Sequence, residues 1–158
     1  MLGTSKYGWV NIYIGEKPIG CTSYLTDVPF DLLDSMIQYL SDDNQLNYSV
    51  EFDAEGYHFG LIEISEDLYI YDTAVMEEDK INLTRIDPED LGLESYASAK
   101  DIVYLLAREV ISDIKTNFKD WLYWMDGPDT MTLTYKKARK KDLNERLKKL
   151  EKLIKDNK

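Results

Sequence analysis

One cysteine, one histidine and the lack of any long apolar run remove several classes of protein before any pattern is read. Cys21 has no second thiol with which to close a disulfide within the chain, which excludes a disulfide-stapled scaffold and fits a reducing compartment. Zinc sites draw on more Cys and His ligands than Cys21 and His58 supply. No stretch of about 18 apolar residues occurs, and Met1 to Val10 has no basic segment leading into an apolar run. The expectation is a cytoplasmic chain with no membrane span. Gly/Ser-rich and Pro-rich linkers are absent, as are internal repeats, so a second domain has no support.

Phosphate and catalytic signatures are missing too. Gly56 and Gly60 stand four apart in a strand-like run, with no lysine placed as a P-loop requires. The one Cys/His dyad available is Cys21 with His58, and no basic residue flanks Cys21 to activate it. The stretch Asp53-Ala54-Glu55-Gly56 satisfies only the opening of an EF-hand loop, and the same residues are ordinary turn formers. Carboxylate pairs are uninformative where acidic groups are this dense. No metal, cofactor or catalytic group is expected.

Positive charge is scarce in one part of the chain only. Residues 1–135 hold 26 of the 30 acidic and 8 of the 19 basic groups, whereas 136–158 hold the other 4 and 11. The organisation expected is an acidic globular body over 1–135 and a basic helix over 136–158 appended to the same domain. A body near -18 repels nucleic acid and anionic lipid and attracts basic proteins.

What is present is aromatic: 12 Tyr, 3 Trp and 4 Phe in 158 residues, too many for a disordered acidic chain. A chain of this length buries roughly two-thirds of its unfolded surface and folds around one core. Trp9 to Ile14 alternates, Gly15 to Pro18 supplies turn chemistry, and Ile19 to Leu25 completes a hairpin. After Thr26-Asp27 and an early Pro29, the residues Phe30, Leu33, Ile37 and Leu40 recur at helical spacing. Asn47 to Phe52, Tyr57 to Ile64 and Leu68 to Thr73 read as a meander with short turns. Residues 76–96 lack a sustained period, apart from one helical turn at Asp87-Pro88-Glu89-Asp90, and read as a mobile connection.

From Ser98, the stripe Ile102, Leu106, Val110, Ile114 and Phe118 predicts a long helix continuing to Trp124. Asp126-Gly127-Pro128-Asp129 stops it. Thr130 to Tyr135 alternates as a strand does. Leu143, Leu147, Leu150 and Ile154 then form the apolar stripe of the basic amphipathic helix. That stripe can dock on the body, join two copies as a weak homodimer, or leave the helix for nucleic acid or membrane. The fold class expected is α+β: an antiparallel sheet of about five or six short strands packed against two helices, plus this C-terminal helix.

Tyrosines among carboxylates suit a surface that binds a basic protein, with rings as anchors and charge setting encounter rate. The candidate binding residues are Asp53, Glu55, Tyr57, Tyr69, Tyr71, Trp121 and Trp124. The function expected is a non-enzymatic protein-binding module, in concrete form an immunity-type inhibitor that sequesters a basic partner such as a toxin. A nucleic-acid or membrane adaptor working through the C-terminal helix is the alternative, and an uncharacterised enzyme is the third.

Overall fold

The computed structural model describes residues 1–4, 8–64, 67–74 and 81–156. Its class is α+β, with two antiparallel sheets of two and four strands and four helices among the described residues. The strands are thus divided between two sheets rather than gathered in one.

The hairpin pairs β1 (Trp9–Ile14) with β2 (Lys17–Ser23). Period-two patterning puts Val10, Ile12 and Ile14 inside and leaves Asn11 exposed. Gly15, at φ +57°, takes the left-handed turn position. The larger sheet has the order β3 (Asn47–Asp53), β4 (Tyr57–Ile64), β5 (Asp67–Ala74), β6 (Asn82–Ile86). Each strand neighbours its successor, as short connections demand.

Strand β6 corrects the reading of 76–96 as a mobile connection, in so far as 81–96 are described; 76–80 lie outside the described residues. Four of its five residues are exposed, so no alternation of buried side chains announced it. Its pairing with β5 defines it. The helical turn expected near Asp87 is present as a 3-10 turn, Pro88–Leu91.

Helix α1 (Val28–Ser41) sets Leu32, Leu33, Met36, Ile37 and Leu40 against Tyr48, Val50 and Phe52 of β3. Helix α2 (Ala99–Thr116) starts at Ser98, whose hydroxyl oxygen accepts from the Asp101 amide at 3.2 Å and caps the first turn. Ile102, Leu106, Val110 and Ile114 are all buried, as their spacing predicts. The helix does not run on to Trp124. Asn117, with φ -115° and ψ 38°, leaves helical geometry, and a separate α3 (Phe118–Leu122) follows. Beyond the break, Trp121 and Trp124 are both buried.

The strand expected over Thr130 to Tyr135 is not formed. Thr130 closes a turn on the Gly127 carbonyl, and Thr132 Oγ1 accepts from the Tyr135 amide at 3.2 Å, in the manner of a helix N-cap. Helix α4 (Leu133–Asp156) therefore begins within the alternating stretch. Threonines that suit a strand also cap helices, and among the described residues no strand pairs with them.

The α4 stripe is covered by the chain's own body. Leu143, Leu147, Leu150 and Ile154 are buried against α1 and α2. Arg139, equally buried, donates to the Leu122 carbonyl and forks both terminal nitrogens onto the Asp27 carboxylate at 2.6 and 2.7 Å. Arg146 meets Asp34 at 2.8 Å, and the two guanidinium groups lie against the Phe30 ring. The acidic body and the positive helix are fastened to each other by side chains that sequence spacing alone does not pair.

Candidate functional site

A groove of about 580 Å³ opens where the two-stranded sheet meets the inner face of the larger one. The turn from β3 to β4 builds one rim. Glu55 and Gly56, at φ 51° and 108°, occupy the two central positions of a hairpin closed by the Ala54 amide donating to the Tyr57 carbonyl at 2.7 Å. Positive φ at both positions is what a type I′ turn requires, and it matches the twist of the flanking strands. Glu55 and the 56%-exposed Tyr57 are thereby held at the rim.

The turn is braced from the other sheet. Thr22 donates to the Asp53 carbonyl at 2.9 Å, and Thr26 Oγ1 accepts from the Asp53 amide at 2.5 Å. The sheets touch where Gly20 meets Phe59: a Cβ at Gly20 would lie 2.5 Å from the ring. Apolar lining comes from Ile19, Phe59, Ile70 and Ile86. The charged residues of the lining are both carboxylates, Glu55 and Asp72, and among the described residues neither has an ion pair. Cys21 also lines the groove and is exposed.

The opposite face of the same sheet carries a second surface. Register pairs Leu61 with Ile70 but Ile62 with Tyr69, so Tyr57 and Phe59 belong to the inner face while Tyr69 and Tyr71 belong to the outer one. The helices pack on the inner face, where Tyr48, Phe52, Phe59, Leu61 and Leu68 join the core. Tyr69, Tyr71 and Ile62 on the outer face are only half-buried, and Leu83 is 57% exposed. The Tyr71 ring lies over Gly60, where a Cβ would fall 1.8 Å from it. Burial and the neighbouring Glu51 carboxylate hold the Tyr71 phenol above its ordinary range. Around the rings stand Glu51, bonded to His58 Nδ1 at 3.1 Å, Asp53, and Asp67, which meets Arg85 at 2.5 Å.

The expected binding residues are thus distributed over three places. Glu55 and Tyr57 mark the groove, and Asp53, Tyr69 and Tyr71 the outer face. Trp121 and Trp124 are interior, at 1% and 6% exposure, with rings 5.5 Å apart and Trp124 Nε1 donating to the Thr26 carbonyl at 2.7 Å. Asp72, Thr84 and Ile86 of the groove were missed, because a period-two pattern says which residues share a face and not what stands opposite. Cys21 lines the groove while His58 pairs with Glu51 across the outer face, so the two are not brought together. Among the described residues no group of three or more His, Cys, Asp or Glu could hold a metal ion. None of the described helices is long and apolar enough to cross a membrane.

One carboxyl lies apart from both surfaces. Glu63 sits on the inner face of β4, 1% exposed, and neither of its oxygens has a hydrogen-bond partner. Burial, reinforced by the Asp101 charge, pushes it up to about 8, so it stays protonated near neutrality. Alternation signals this position, since Glu63 follows Phe59 and Leu61 onto the buried face.

Comparison with family models, with curated proteins and with solved structures finds no match to this chain.

Proposed function

We propose that this protein is a non-enzymatic binding module that sequesters a basic protein, in the manner of an immunity-type inhibitor covering the cationic surface of a toxin. The observation that carries the reading is the outer face of the four-stranded sheet, which no described helix covers. There Tyr69 and Tyr71 stand among Glu51, Asp53 and Asp67, on an acidic body. Half-exposed rings offer low-entropy anchor area, and surrounding carboxylates steer a cationic partner and reject an anionic one.

The test is capture from the source lysate at low salt, before and after nuclease treatment, followed by association kinetics with whatever basic protein is retained. The association rate is expected to fall steeply from low to physiological salt, and Tyr69→Ala with Tyr71→Ala to speed dissociation. A salt-independent rate removes the role given to charge. Recovery of nucleic acid alone transfers the function to α4. That alternative is examined by reversing the exposed Lys140, Lys148 and Lys152 to Glu rather than by deleting the helix, whose leucines complete the core.

A further inference from the structure

Resting on the reading that the chain binds a basic protein, we infer that the partner's contact segment is extended, adds to β6 as a fifth strand, and lays a lysine or arginine side chain in the groove. Strand β6 ends the order of the larger sheet, and among the described residues it pairs with β5 alone. Natural proteins guard such edges with proline, lysine or a covering element. Asn82 to Ile86 contains neither residue, Leu83 is exposed, and the one cation, Arg85, turns to Asp67 and Asp87.

The groove runs up to this edge. Thr84 and Ile86 of β6 line it together with Ile70 and Asp72 of β5. A strand laid beside β6 alternates its side chains between the two faces of the sheet. Those on the side of Thr84 and Ile86 meet the groove, and the intervening ones reach the outer face beside Leu83. One segment thereby engages both surfaces, which otherwise lie on opposite sides of the sheet.

The chemistry of the groove selects the side chain. Ile19, Phe59 and Ile70 suit an aliphatic stem, and Glu55 with Asp72 suits a cationic head. An acidic side chain would meet two carboxylates that have no ion pair among the described residues. A second copy of this chain is a poor occupant, because two bodies of strong negative charge oppose each other.

The experiment uses the intact, isotope-labelled chain and a capped peptide of alternating threonine and lysine, with a threonine-glutamine peptide as the neutral control. The lysine peptide is expected to shift the amides of Leu83 to Ile86, to protect those of them that point away from β5, and to slow modification of Cys21 by a thiol reagent. Affinity should drop at least about tenfold with the glutamine peptide, and likewise with Glu55→Gln plus Asp72→Asn, which alter exposed side chains. Equal binding of both peptides, no effect at β6, or dimerisation of the chain alone through this edge overturns the inference. The two readings fail separately. A captured basic protein that binds Asp72→Lys as well as wild type sinks the groove and leaves the binding module standing. Capture of no basic protein sinks the module.

Discussion

The two faces of the four-stranded sheet are made from alternate residues of the same strands, yet they obey different rules. On the inner face Leu61 and Leu68 are each 1% exposed and Glu63 is buried with them, protonated and without a partner. On the outer face Ile62, Tyr69 and Tyr71 are just as apolar but remain half open, and charged neighbours pair across them. Along β3 side-chain type separates the faces, with Tyr48, Val50 and Phe52 inside and Asn47, Ser49 and Glu51 outside, but at Ile62, Tyr69 and Tyr71 it does not. What lies above them does: α1 and α2 cover one, and no described helix covers the other. The inner face therefore supplies the burial that stabilises this sheet, and the proposed recognition falls to the outer face and the groove.

Truncation sharpens this contrast most. Leu61→Ala, which opens a cavity under α1 and α2, is expected to cost about 2 to 5 kcal/mol in urea unfolding, against less than about 1 kcal/mol for Ile62→Ala one residue away. Comparable losses would mean that the outer face is also interior.

Protonation supplies the next test. Glu63 keeps its proton to about pH 8 in the folded chain, whereas in the unfolded chain its carboxyl titrates near its ordinary 4.5. Its favourable contribution is therefore complete below pH 4.5 and is lost as pH rises through 8, a loss on the order of a few kcal/mol. Glu63→Gln should flatten that part of the stability profile. An unchanged profile would show that Glu63 does not carry this pH dependence.

Smaller effects are expected on the outer face. Tyr71→Ala should leave unfolding nearly unchanged while weakening the captured partner by about tenfold or more, as loss of an anchor ring does. Gly60→Ala, which forces the Tyr71 ring aside, should weaken binding in the same direction without the ring being removed. Least of all, Arg85→Ala breaks exposed pairs to Asp67 and Asp87 and is expected to change stability by less than about 1 kcal/mol.

Much of this architecture was legible in local pattern. The hairpin, α1, the strands β3 to β5, the start of α2 and the α4 stripe all announced themselves through periodicity or capping. Failures fell where a local signal had two meanings or none. Thr130 to Tyr135 suited a strand and became a cap and the first turn of a helix. Asn82 to Ile86 carried no alternation because its exposed residues answer to a neighbour in space. Of the groove residues, Glu55 and Tyr57 were placed there by a turn that sequence could anticipate, but Asp72 and Thr84 join them only through strand register.

By itself the sequence determined periodic faces, turn positions, the split of charge near residue 136 and the absence of a disulfide, since each depends on residues close along the chain. Tertiary structure alone decided that the strands divide into two sheets, that Arg139 finds Asp27, and that the two sheets leave a groove between them. Those outcomes depend on what packs opposite each side chain, and burial, register and ion pairing are set by partners far apart in the chain.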